Sequence, residues 1–267
     1  KLFNKKIKYH GLDIEKQMIL SARKRFPRNK NIKFDISKNM KLKEKNSIYD
    51  LVFSTGTLNH NKSYKNIINE MLRVSKKYTF IDLFAGCGGL SEGFYKQGFQ
   101  GLTHVEYDHY ACESLRTRMK HYGYQEDEIS ILEEDITNKG IIEKIELEVA
   151  NKSIDLLIGG PPCQSFSSLG RAKDENSMKN DPRNYLFESY EQILNYFKPK
   201  IFVFENVIGL LNAKLKGKKT IDVILAQLGE NYNLIRDPNQ MVLNSCDYGV
   251  PQIRKRIILI GVRKDIE

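Results

Sequence analysis

The residues best suited to chemistry surround a single cysteine. Cys163 lies in GGPPCQSFSS, residues 159–168, at the end of an apolar segment. The prolines before it restrict the backbone, so a reacting side chain there has less conformational freedom to lose. A thiol attacks only after deprotonation, and a rigid turn at a strand end favours a nucleophile over a packing residue. We interpret the other cysteines, Cys87, Cys112 and Cys246, as small buried apolar residues.

A carboxylate and two guanidinium groups could assist that nucleophile. Glu205 follows an apolar run in FVFENV, residues 202–207. A carboxylate there is costly unless paired or protonated, so Glu205 could donate a proton near neutral pH across a crevice from Cys163. Arg254 and Arg256 alternate in QIRKR, which predicts one strand face suited to a base carbonyl and a phosphate. Taken singly, Glu205 could be a salt-bridged residue, and the arginines could protect an edge strand.

A glycine-rich turn precedes these segments in DLFAGCGGLSEGF, residues 82–94. Glycines let a ligand approach the backbone, and a helix N-terminus offers free N–H groups. Glu106 ends the next predicted strand, where a carboxylate can accept hydrogen bonds from ribose hydroxyls, and Tyr107 could stack on a base. Asp135, after a third predicted strand, could accept from an exocyclic amine. Together these residues predict an adenosine pocket, although each carboxylate alone could be a solvated strand end.

Alternating strands and helices must position these residues. The segments YTFIDLF, GLTHVEYD, SIDLLIGG, KIFVFENV and RIILIGVRK predict strands, and GLSEGFYKQG, HYACESLRTRMKHYG, NYLFESYEQILNYFKP and KTIDVILAQLGE predict helices. This order predicts an α/β fold with a mostly parallel sheet and helices on both faces. Residues 1–78 repeat the rhythm more weakly, with a strand in IYDLVFSTGTLNH and a helix in YKNIINEMLRVSKKY but no glycine turn. We therefore predict two parts, residues 1–78 and 79–267.

Composition excludes several classes of protein. The chain has 267 residues, 40% of them hydrophobic, and no apolar run of membrane-spanning length or signal-peptide character. The cysteines have no CxxC spacing, which predicts no metal site or disulfide framework and favours a cytoplasmic protein with free thiols. Residues 1–78 contain 20 Lys+Arg and 6 Asp+Glu, whereas residues 79–267 contain 23 and 27. On charge alone, a lysine-rich solvated surface explains this better than nucleic-acid binding.

The four chemical segments, in this order, resemble the cytosine-5 DNA methyltransferase family. The shared motifs are FAGCGG, PPCQSF, ENV and QxRxR, and DPRNYLF is similar to the start of an intervening helix of the family. The resemblance covers about residues 79–267. It implies a Rossmann-like class I fold, S-adenosyl-L-methionine as cofactor and double-stranded DNA as partner. The cofactor residues that it implies are Phe84, Ala85, Gly86, Gly88, Gly89, Leu90, Glu106, Tyr107, Asp135, Ile136, Pro162 and Leu186.

The resemblance also implies a mechanism. Cys163 adds to C6 of a flipped cytosine, which activates C5 to take a methyl group. Glu205 then contacts N3 and the amino edge, Arg256 holds O2, and Arg254 orders the site. The polar stretch SSLGRAKDENSMKND, residues 167–181, resembles the loop that closes over the base.

Two features depart from the family pattern. A target-recognition domain and C-terminal motifs do not follow residue 267, which predicts either a second polypeptide that supplies them or a fragment inactive alone. Residues 1–78 resemble the middle of a class I methyltransferase without its glycine loop. The reading remains a DNA methyltransferase of restriction-modification type, with a tRNA cytosine-5 methyltransferase and a non-catalytic subunit as alternatives.

Overall fold

The computed structural model describes residues 8–13, 15–25, 27, 31–36, 49, 52, 71, 77–162, 185–215 and 217–266. Contacts within the chain cluster into two compact units, residues 1–77 and 78–267. The strand predicted in IYDLVFSTGTLNH and the helix predicted in YKNIINEMLRVSKKY lie almost wholly outside the described residues. The same is true of Cys163 and of the predicted loop 167–181.

The first unit contains a parallel strand pair joined by a helix. Its elements are β1 (Tyr9–Asp13), α1 (Lys16–Arg25) and β2 (Ile32–Ile36). Ile19 of α1 is buried, and the His10 ring lies between the Tyr49 hydroxyl and the Asp35 carboxylate, at 2.7 and 3.0 Å. The predicted strand ends and helix of YHGLDIEKQMILSARKRF and NIKFDIS are confirmed.

The second unit is built on an eight-stranded sheet. Its strands are β3 (Thr79–Leu83), β4 (Gln100–Glu106), β5 (Ile131–Glu133), β6 (Leu156–Gly159), β7 (Ile201–Val207), β10 (Tyr232–Leu234), β11 (Val242–Asn244) and β12 (Lys255–Arg263). A small hairpin, β8 (Lys214–Leu215) and β9 (Lys218–Lys219), lies outside it. The order is β10-β12-β7-β6-β3-β4-β5, and β11 pairs with β12.

Helices follow most of these strands. They are α2 (Ser91–Lys96), α3 (His109–His121), α4 (Ile141–Val149), α5 (Leu186–Phe197), α6 (Thr220–Leu228) and α7 (Pro238–Met241). Strands β3 to β7 pair in parallel, whereas β12 runs antiparallel to β7 and to β10 and β11. The predicted α/β class with a mostly parallel sheet is confirmed.

Alternation along β3 divides the core between the two faces of the sheet. Ile81 and Leu83 join the larger cluster, which α4, α5 and α6 cover with apolar side chains. Phe80 points to the other face and packs beneath Phe94 and Tyr95 of α2. Because parallel strands end at one edge of the sheet, the loops after β3, β4, β6 and β7 meet there.

Candidate active site

The glycine-rich turn after β3 depends on left-handed backbone. Phe84, Gly86 and Gly88 have φ values of 57°, 53° and 81°. The N–H of Gly88 donates to the carbonyl of Ala85 at 2.9 Å, and the Gly88 carbonyl accepts from the N–H of Glu92 at 3.1 Å. A Cβ built at Gly86 or Gly89 would meet no atom within 4 Å, so the backbone there is open to a ligand.

Gly88 itself has no room for a side chain. A Cβ there would lie 2.6 Å from Leu115 Cδ1, which is buried beneath α3. We expect Gly88→Ala to lower the free energy of unfolding in urea by about 1–3 kcal/mol more than Gly98→Ala. Gly98 is a matched control because its φ is +80° but no atom lies within 4 Å of its Cβ position. Equal losses in the two variants would contradict the close contact at Gly88.

Glu106 fastens the turn to the end of β4. Its carboxylate accepts from the N–H groups of Gly86, at 2.8 Å, and of Tyr107 and Asp108, both at 2.9 Å. The residue is only 8% exposed. A carboxylate offers about four lone-pair sites, so one remains for a ligand. Sequence reasoning predicted a ribose acceptor here and missed the three backbone contacts.

The other predicted cofactor residues lie around the same edge of the sheet. Tyr107 is 70% exposed, which leaves its ring open to a planar ligand. Asp135, two positions beyond β5, accepts from the N–H and hydroxyl of Thr137 at 2.8 and 2.7 Å. Ile136 is buried in the main core, Leu186 packs against that core at the start of α5, and Leu90 packs beside Phe80. Pro162 is half-buried beyond β6.

Arg118 and Asp82 are two residues at the turn that sequence reasoning missed. From α3, the Arg118 guanidinium donates to the Gly88 carbonyl at 3.4 Å and to the Glu92 carboxylate at 2.8 Å. Arg118 belongs to the polar side of an ordinary helix, so no sequence signal identifies it. Asp82 is an acid inside the apolar strand β3, a signal that was available in the sequence.

Glu205 and Arg256 form an ion pair at the carboxyl end of β7. The Nε of Arg256 lies 3.0 Å from Oε1 of Glu205, and both side chains are about a quarter exposed. In the ladder, Glu205 pairs with Ile258, so Arg256 is its diagonal neighbour on the same face. Burial raises the pKa of the Glu205 carboxyl, while Arg256 and Arg254 lower it and offset part of that effect.

This ion pair lies against the segment that leads to Cys163. A Cβ at Gly160 would come within 3.0 Å of Oε2 of Glu205, so the glycine lets the two strands' ends approach. The side chain of Asn206 donates to the Pro161 carbonyl at 3.2 Å. The predicted neighbourhood of Glu205 and the segment before Cys163 is therefore present. Cys163 itself lies outside the described residues.

Two predictions about local structure were wrong. Arg254 does not share a strand face with Arg256, because β12 begins at Lys255 and a bend precedes it. Arg254 instead uses its backbone to join Asn244 and Ser245. Cys87 and Cys246 are exposed, because both lie in turns outside the sheet, whereas Cys112 is buried as predicted.

Two searches were limited to the part of the chain that the structure describes. Within it, no group of three or more His, Cys, Asp or Glu side chains could hold a metal ion. Within the same residues, no helix combines the length and apolar character needed to cross a membrane.

Comparison with known proteins gives matches to both parts of the chain. A family model described as C-5 cytosine-specific DNA methylase matches residues 78–267, and one described as a methyltransferase domain matches residues 1–79. Two similar relatives are the type II methyltransferase M.Bpa9945I of Bacillus paralicheniformis, 36% identical, and M.DdeI of Desulfomicrobium norvegicum, 38% identical. The matches cover 70% and 69% of this chain, but 54% and 40% of the relatives.

One solved structure supports the fold. A DNA modification methyltransferase encoded within a prophage of E. coli is 30% identical, with a TM-score of 0.56, over 71% of this chain and 48% of that protein. The chain thus spans about half the length of the relatives it matches.

Proposed function

Since the chain belongs to the C-5 cytosine-specific DNA methylase family, we propose that it transfers a methyl group from S-adenosyl-L-methionine to C5 of cytosine in DNA, in a restriction-modification system. The observation that carries the proposal is the Glu205–Arg256 pair, held against the glycine that precedes the PPC segment. That arrangement puts an acid with a raised pKa beside the expected nucleophile.

The turn after β3 fits S-adenosyl-L-methionine. Its open glycines give the ligand access to the backbone, and Glu106 keeps one acceptor site for a ribose hydroxyl. Tyr107 is exposed for stacking on the adenine, and the proposal gives Asp135 the exocyclic amine. When bound, the cofactor supplies an electrophilic methyl group.

The chain's own residues prepare the cytosine for that group. The thiolate of Cys163 bonds to C6, the electron pair of the C5–C6 double bond shifts into the ring, and Glu205 protonates N3. Arg256 keeps Glu205 in place and binds O2, and Arg254 adds positive charge from the turn before β12. C5 gains the methyl group and loses its proton, and the bond between Cys163 and C6 breaks to release 5-methylcytosine.

A nucleoside analysis tests this proposal. The enzyme that contains this chain is incubated with labelled S-adenosyl-L-methionine and with duplex DNA or tRNA, and the products are hydrolysed for mass spectrometry. We expect label in 5-methyl-2′-deoxycytidine. Label in 5-methylcytidine from tRNA would favour the tRNA alternative, and no transfer to either substrate would favour a non-catalytic subunit.

We further propose that a second polypeptide, carrying target recognition, completes the enzyme. Ile258 and Ile260 of β12 and Ile201 of β7 alternate onto the sheet face that α2 covers only in part. Ile260 is 51% exposed and Ile201 is 38% exposed, although parallel-sheet proteins ordinarily cover both faces.

The exposed isoleucines give that partner a testable contact. We expect Ile260→Asp to weaken binding of the recognition polypeptide at least about tenfold, because a charge would be buried against an apolar surface. Calorimetric titration measures the affinity, and Leu147→Asp, another exposed apolar residue on α4, is the control. Equal affinities in the two variants would exclude this face.

The role of residues 1–78 is a separate proposal. They form part of a class I methyltransferase-like unit whose net charge of +14 contacts DNA phosphates. Deleting residues 1–77 should flatten the salt dependence of DNA binding, and an unchanged dependence would remove this role. The proposed reaction takes place in the cytoplasm.

A further inference from the structure

Asp82 is a buried acid that the proposed reaction does not use. It lies in β3, two residues before the glycine turn, and is 1% exposed. Among the described residues, neither oxygen of its carboxyl has a hydrogen-bond partner. An unpaired buried carboxyl costs folding free energy, so its presence in the strand calls for an explanation.

The charges around Asp82 favour its neutral form. Burial raises its pKa to about 8, the hydroxyl of Ser91 partly opposes this, and the negative charge of Glu106 adds to it. At pH 7 the carboxyl therefore carries its proton and is a hydrogen-bond donor.

Neighbouring ring groups supply no compensating positive charge. His104 pairs with Asp82 across β3 and β4, and burial lowers the pKa of its imidazole to about 4, so it stays neutral. Its nitrogens lie 3.1 Å from the Ser130 carbonyl and 3.0 Å from the Tyr95 hydroxyl. Burial raises the pKa of both Tyr95 and Tyr190, which therefore also remain uncharged at neutral pH.

Ser91 connects this acid to the turn. It is the first residue of α2, fully buried, and its hydroxyl donates to the Gly88 carbonyl at 3.3 Å. A serine hydroxyl has a single proton. While that proton is given to Gly88, Asp82 can bond to Ser91 only by donating its own.

We propose that Asp82 is a positioning residue of the cofactor turn: as a neutral acid it donates to Ser91, and Ser91 in turn holds the Gly88 carbonyl. The assignment rests on the proposed function for its effect on S-adenosyl-L-methionine. Ionised Asp82 would draw the Ser91 proton to itself, so the Gly88 carbonyl would lose that donor and the turn would loosen. Affinity for the cofactor is therefore lost as pH rises through about 8.

Two readouts test this in the full chain between pH 6 and 9.5. Calorimetry follows the binding of S-adenosylhomocysteine, and NMR follows the backbone amides of Gly88 and Glu92 without ligand. The variants are Asp82→Asn, whose amide donates at every pH, and Ser91→Ala, which removes the link. Asp155→Asn is the control, because Asp155 binds the Thr79 N–H at the opposite end of β3.

In the wild type and in Asp155→Asn, we expect affinity to fall by up to about tenfold per pH unit above 8, and the two amides to titrate with the same midpoint. Asp82→Asn should lack that fall and that titration. Ser91→Ala should bind more weakly at pH 7 and lose the titration of Gly88.

Identical pH profiles in the wild type and in both Asp82→Asn and Ser91→Ala would overturn the role of Asp82. Failure of every form to bind the ligand would instead overturn the proposed cofactor site. In that event the amide titration would still decide whether Asp82 acts on the turn through Ser91.

Discussion

Replacement of Cys163 by alanine is expected to abolish methyl transfer, with a fall in kcat of at least about 10⁴-fold. Without the thiolate, C5 of cytosine is too weak a nucleophile to take the methyl group. The measurement is single-turnover transfer of labelled methyl groups to duplex DNA by the enzyme that contains this chain. Binding of S-adenosylhomocysteine should change little, because the proposed cofactor turn follows a different strand, β3.

Cys246→Ala is the matched control for that variant. Cys246 is exposed in the turn after β11, and its thiol lies 2.8 Å from the side-chain nitrogen of Asn244. Its removal should leave the rate within about twofold. A Cys163→Ala enzyme that keeps a tenth or more of the wild-type rate would contradict the role of Cys163 as nucleophile.

Replacement of Glu205 by glutamine is expected to lower kcat by about 10²–10⁴-fold, the range for a lost general acid. Glutamine keeps the shape of the side chain but has no acidic proton for N3. Burial raises the pKa of Glu205, so the carboxyl holds its proton closer to neutral pH than an exposed glutamate does. Because the protonated form is the active one, the wild-type rate should fall as pH rises through that pKa.

A half-buried glutamate of α5 supplies the control for Glu205. Burial also raises the pKa of Glu191, but the residue lies on a helix outside the proposed site. Glu191→Gln should keep both the wild-type rate and its pH profile. If Glu205→Gln shows the same pH profile as the wild type, another group supplies the proton.

The sheet could be predicted from sequence because its strands are short, strongly apolar and separated by amphipathic helices. The burial of all five residues of β3 follows directly from that pattern. The elements that prediction missed have weaker signals: β10 and β11 have three residues each. The α4 helix has buried Ile141, Ile145 and Val149 at helical spacing, a pattern that a closer reading would have found.

Contacts at the candidate site were less predictable, because they join residues distant in sequence. The residues of the glycine turn are evident, but the bond between Gly86 and the Glu106 carboxylate depends on the pairing of β3 with β4. The diagonal approach of Arg256 to Glu205 depends on an antiparallel register that no local motif encodes. Residue types therefore indicated the chemistry, whereas hydrogen-bond partners required the fold.

The most direct test of the account is covalent trapping on DNA that contains 5-fluorocytosine at the target position. Fluorine cannot leave C5 as a proton does, so the bond between the enzyme and C6 persists after methyl transfer. With S-adenosyl-L-methionine present, we predict a stable protein–DNA adduct whose modified peptide carries the nucleotide on Cys163, and no adduct in Cys163→Ala. Methylation without any adduct, or an adduct on a different residue, would contradict the account.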